Sequence, residues 1–221
     1  MRAMRTLAVA VFVLLDVSAA AAQSTRHFKD SWFWGLKGGA TFYQVQSNPN
    51  ALAPMGGADW FITRTKGGLY VSFDHSFFSR DSVFVNDSLS PLDTVPRSVI
   101  LSGLRRFTIA GLLFPIQSYR VHPYLGLGAA LNHIAYAAPQ GSYRTATQAQ
   151  LVDATVAQFR SAAAPVVILG TQIRMPALSW FVQASASPAN SNFFLFNGNN
   201  WRSTVEVGAR YNVGSSIDPM R

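Results

Sequence analysis

Arg120-Val121-His122-Pro123-Tyr124-Leu125-Gly126-Leu127-Gly128-Ala129-Ala130-Leu131-Asn132 alternates along its whole length. Val121, Leu125, Leu127, Ala129 and Leu131 fall on one face, and Tyr124, Gly126, Gly128 and Asn132 on the other. Side chains of a strand alternate with a period of two, so this stretch makes a sheet with one oily side and one small or polar side.

The pattern recurs in eight segments, roughly 32–45, 53–64, 67–78, 98–114, 120–135, 161–174, 177–187 and 201–213. In the first, Trp32, Trp34, Leu36, Ala40 and Phe42 oppose Lys37, Gly39, Thr41 and Tyr43. In the third, Leu69, Val71, Phe73 and Phe77 oppose Tyr70, Ser72, Asp74 and Ser76. In the last, Val205, Val207, Ala209, Tyr211 and Val213 oppose Thr204, Glu206, Gly208, Arg210 and Asn212. Arg105 breaks the rule in the fourth segment, where it falls on the oily side.

Composition narrows the setting. Charged residues are 13% of the chain, about half of the ~25% usual in soluble proteins. Hydrophobic residues reach 49%. Yet past the leader no run approaches the ~18 apolar residues of a membrane helix. High apolar content without helical spans fits a transmembrane barrel, in which only alternate residues meet lipid. A soluble sandwich has alternating strands too, but it carries more surface charge.

The N-terminus reads as a secretory leader. Arg2 and Arg5 form its basic end, Leu7 to Leu15 its apolar run and Ala20-Ala21-Ala22 its cleavage site. The expected division is a signal peptide over 1–22, a barrel over 23–214 and a short tail over 215–221. Losing residues 1–22 removes Arg2, Arg5 and Asp16 and takes the formal charge from +8 to +7. No Lys/Arg-rich run accompanies this surplus, which argues against a nucleic-acid partner. Lipids and glycolipid phosphates of an anionic leaflet are the expected partners. The absence of cysteine excludes disulfides, thiolate metal sites and a lipidated N-terminal cysteine.

The connections are expected to alternate between short and long. Thr65-Lys66, 115–119 and Met175-Pro176 are short, while 46–52, 79–97, 136–160 and 188–200 are longer. Membrane barrels have short periplasmic turns and longer outer loops. Within 136–160, Leu151, Val152, Thr155, Val156 and Phe159 give a partial helical period. Aromatic residues gather at segment ends, with Trp32, Trp34, Trp60, Trp180, Trp201 and Tyr211 as the expected interfacial girdle.

These features resemble the eight-stranded outer-membrane β-barrel family of Gram-negative bacteria, the OmpA, OmpX and OmpW types. The residues that carry the resemblance are 123–129, 170–174 and 205–211. It implies an all-β, eight-stranded, antiparallel, up-and-down transmembrane barrel, monomeric and inserted by the barrel assembly machinery. The family ends its last strand at the C-terminus on an aromatic residue, whereas this chain continues from Gly214 to Arg221.

The inward charges are Lys37, Asp59, Asp74, Arg106, Arg174, Glu206 and Arg210. An eight-stranded barrel has an interior just wide enough for side chains. Buried charges there must pair, so a plugging ion network is expected. The role that follows is structural or surface interaction. The alternative is a narrow channel for small solutes or hydrophobic compounds, and a lipid A-modifying barrel enzyme is a more distant third. A nucleophilic serine needs a base within reach. His75 and Ser76 are adjacent and point to opposite faces, while His133 with Ser185 or Asp74 has no motif behind it. No metal site or cofactor is expected. Val83, Phe84 and Val85, and Phe193 to Phe196, form apolar patches in the loops, fit to enter the leaflet, pack on each other or bind a partner.

Overall fold

The computed structural model describes residues 30–86, 95–116, 120–175, 178–189, 192–195 and 201–215. The expected leader 1–22 lies outside the described residues, as does the tail beyond Ser215. Eight strands run in chain order: β1 (Ser31–Val45), β2 (Asn48–Thr63), β3 (Gly67–Asn86), β4 (Pro96–Leu113), β5 (Val121–Pro139), β6 (Ser161–Arg174), β7 (Leu178–Pro188) and β8 (Trp201–Ser215). Each pairs antiparallel with the next, and β8 pairs antiparallel with β1, which closes the barrel. Closure leaves no strand without a neighbour on either side.

The outward face is a ladder of apolar rows. Leu69, Gly111, Leu127 and Val167 form one row through successive cross-strand pairs, Val71, Ile109, Ala129 and Pro165 the next, and Phe73, Phe107, Leu131 and Ala163 the third. Leu127, Leu169, Phe73 and Val207 are all exposed. The inward face holds Asp59, Asp74, Glu206 and Arg210, all buried. A water-soluble protein has the opposite arrangement.

A spanning strand needs only about ten residues. β3 has 20, β4 18 and β5 19, so this side of the barrel rises well beyond the bilayer. Gly103 has φ +66°, a conformation that glycine adopts without strain. The β3–β4 register shifts on the facing strand, between Ser76 and Asp81.

Two expectations are corrected. The first connection was expected over 46–52, but β2 begins at Asn48 and the link is Gln46-Ser47. Short and long connections therefore do not alternate strictly. Pro49 and Pro54 lie within β2, whose pairing with β3 begins only at Met55. A strand unpaired on one side tolerates a residue without an N–H. In place of a ladder, the hairpin tip clips onto β3: the Ser82 amide donates to Ser47 Oγ at 2.9 Å and the Phe84 amide to Gln46 Oε1 at 2.9 Å.

The second correction concerns the loop patches: Val83 to Val85 lie in β3 and not in a loop, and of the three expected roles the buried residues take that of packing on each other. Val83, Val85, Phe193, Phe194 and Leu195 are buried, although Phe84 is exposed. They pack with Tyr43, Val99, Leu101, Leu104 and Ile134 into an apolar core inside the loop end of the barrel. The helix α1 (Ala146–Phe159) covers this core with Val152 and Val156. A capping box starts the helix: Gln148 N donates to Thr145 Oγ1 at 3.2 Å, and Thr145 N donates to Gln148 Oε1 at 3.3 Å.

Candidate functional site: the barrel lumen

Below the apolar core the lumen is filled by a continuous polar network. Lys37 Nζ lies 2.7 Å from Asp74 Oδ1 and 2.7 Å from Glu206 Oε2. Arg106 Nη2 lies 3.0 Å from Asp74 Oδ2 and 2.6 Å from Glu206 Oε1. Two cations thus face two carboxylates in a closed square. Thr204 and Ser185 add hydrogen bonds to Glu206 and Arg106.

Nearer the turn end stands Arg210, fully buried. Its Nε and Nη2 both donate to Asp59, at 3.0 Å each for the shorter contacts. Its Nη1 donates to Gln172 Oε1 at 2.9 Å. The guanidinium lies 3.7 Å from the Phe181 ring centroid and 5.1 Å from that of Phe61, with Tyr70 and Tyr124 also within cation–π range. Small residues make the room. A Cβ at Gly35 would overlap Asp59 and Arg210, and one at Gly208 would come within 2.7 Å of the Phe181 ring.

Gln183 joins the two clusters. Its Nε2 donates to Glu206 Oε2 at 2.7 Å and to Tyr70 Oη at 2.9 Å, while its Oε1 accepts from Tyr124 at 2.8 Å. The network therefore contains Lys37, Arg106 and Arg210 against Asp59, Asp74 and Glu206, and its formal charges balance. Its ion pairs tie strands together across the lumen.

Six of the seven charges expected in the lumen come together here. Arg174 is set apart, as the last residue of β6 at the turn end, where its charge bears on His122. One lumen cation was missed. Arg202 is buried between the network and the apolar core, 3.4 Å from Ser187 Oγ and over the Phe193 ring at 5.7 Å. Among the described residues no carboxylate pairs with it. Strand parity alone would have found it, since it shares the β8 face of Thr204 and Glu206.

The aromatic positions sort by end. Trp32, Trp34, Trp60 and Tyr211 are neighbours through the β1–β2 and β1–β8 registers, and Trp180 lies one strand further round near the same turn end. Trp34 stacks on Trp60 with centroids 6.0 Å apart. Trp201 stands alone of the six at the loop end, as the first residue of β8.

Neither combination of His and Ser assembles into a catalytic group among the described residues. Ser76 faces inward and shares a hydrogen bond of 2.7 Å with Thr41, while His75 faces outward. His133 also lies on the outer side, away from Ser185 and Asp74. It contacts Ser161 Oγ at 2.7 Å, but no carboxylate among the described residues orients the imidazole as a triad requires. Those residues contain no group of His and acidic side chains fit to hold a metal.

No protein-family model and no curated protein sequence matches the chain. Solved structures do. The chain is similar to Neisserial surface protein A at a TM-score of 0.54 and 11% identity, over 81% of this chain and 96% of that one. It is also similar to Ail, the attachment invasion locus protein of Yersinia pestis, at 0.48 and 10% over 84% and 99%. The N-terminal β-barrel domain of Pseudomonas aeruginosa OprF matches at 0.42 and 9% over 83% and 98%. With its closed eight-stranded wall, apolar exterior and the likeness to the Neisserial protein, the chain has the fold of an integral outer-membrane β-barrel.

Proposed function

We propose that this protein is a closed, non-conducting barrel of the outer membrane whose role is structural or in surface interaction. The observation that carries this reading is the double filling of the lumen. A charge-balanced network occupies its middle, with ion-paired side chains almost wholly shielded, and an apolar core under α1 occupies the loop end. A solute would have to break both. The same filling makes a rigid pedestal for the extended β3–β4 and β4–β5 hairpins, and loops presented on a rigid scaffold are the usual carriers of recognition. Each strand pairs on both sides over part of its length, so the spanning wall offers little edge to a second copy, which supports a monomer.

A planar-bilayer recording of the purified, folded protein tests the reading. The expected trace is flat, without unitary steps. Stable, reproducible steps would replace the plugged barrel with a narrow channel.

A further inference from the structure

The outward ladder ends toward the loops in a polar row. His75 pairs with Arg105, Arg105 with His133, and His133 with Ser161, one residue from each of four adjacent strands. Directly beneath, on the same face, lies the apolar row Phe73, Phe107, Leu131 and Ala163. Outward charge is costly in the bilayer but cheap near its surface, so the polar row marks the boundary between acyl chains and headgroups.

The row is held in place. His133 Nδ1 and Ser161 Oγ are 2.7 Å apart. The His75 ring packs edge-on against Phe77 with centroids 4.6 Å apart, and it borders Gly103, where a Cβ would come within 3.1 Å of it. Arg160 is anchored by its Nε to the Ile134 carbonyl at 2.8 Å, and the charges of Arg160 and Arg105 both act on the His133 ring. Among the described residues no carboxylate pairs with Arg105 or His133. This exposed guanidinium therefore meets no anion among the described residues of its own chain. Its forked donors match a phosphate, and the long side chain reaches the headgroup level.

We propose that His75, Arg105, His133 and Ser161 form a binding site for the phosphate of an acylated, phosphorylated glycolipid in the outer leaflet. Arg105 is the anchor, His133 and Ser161 supply further hydrogen-bonding groups, and the acyl chains lie over Phe73, Phe107 and Leu131. This rests on the reading of the chain as an outer-membrane barrel with its loops outside.

The test is native mass spectrometry of the folded full-length barrel in detergent, incubated with lipid A or with the same lipid stripped of phosphate. Wild type should retain lipid A roughly tenfold better than the stripped lipid, the scale of one charge-assisted hydrogen-bonding contact. Arg105→Leu, which keeps the outer face apolar, should lose the preference, and Arg105→Lys should keep part of it. Inorganic phosphate at the same concentration should not displace the lipid. Equal retention of the two lipids, an unaltered preference in Arg105→Leu or displacement by inorganic phosphate would overturn the site. Gel mobility with and without boiling separates the two levels. A band that does not shift overturns the barrel and the site with it, whereas a shifting band without phosphate preference overturns the site alone.

Discussion

Arg210→Met should lower the unfolding free energy by about 3–5 kcal/mol, because it leaves Asp59 ionised and buried without its partner. The loss is large because nothing else near Asp59 substitutes for the guanidinium. Gln172 and Gln183, which accept from Arg210, are neutral and cannot balance the carboxylate, and Phe61, Tyr70, Tyr124 and Phe181 surround the site with rings. Removing both charges together, in Asp59→Ala/Arg210→Met, should restore most of the stability, since a buried pair replaced by neutral groups costs far less than a broken one. Urea titration in lipid vesicles, followed by tryptophan emission, measures both variants. A single variant within about 1 kcal/mol of wild type would mean that water reaches Asp59 and that the lumen is not sealed at this level.

The second large effect lies on the other face of the wall. Leu127→Arg should cost about 2–4 kcal/mol, the penalty for a cation at the middle of the bilayer. Leu127 is midway along the outward positions of β5, between Val121 and His133, and it is among the most exposed large apolar residues. An arginine at Tyr136, beyond the polar row and also exposed, should cost less than about 1 kcal/mol on the same depth scale. The same titration in vesicles reads both. Equal costs at the two positions would remove the depth dependence that lipid imposes.

Much of this was legible in the chain because a period of two is a strong signal wherever one face meets lipid and the other a crowded lumen. Thus β6 has the expected extent and β7 and β8 nearly so, and six of the seven lumen charges meet in one network. The signal fails above the bilayer. There β2 runs through Asn48-Pro49-Asn50, residues that favour turns, and forms a strand because β1 pairs with it on one side. There too Val83, Phe193 and Leu195 pack inward, because an extended barrel must fill its upper end with something apolar. Arg174 has inward parity, but as the last residue of β6 it stands at the turn end. The contacts of Gln183 and the space left by Gly35 are properties of a closed wall, which brings β1, β2, β7 and β8 around the same point. Sequence spacing along one strand does not contain that information.

Nitroxide accessibility in vesicles reads out which face of the wall meets lipid. The chain has no cysteine, so single cysteines introduced at Leu127, Val207 and Thr108 each take one label. Labels at 127 and 207 should collide freely with oxygen dissolved in the bilayer and hardly at all with a water-soluble nickel chelate, while the label at 108 should be shielded from both. Labels at 127 and 207 that are shielded from oxygen, or open to the chelate, would contradict this orientation of the wall.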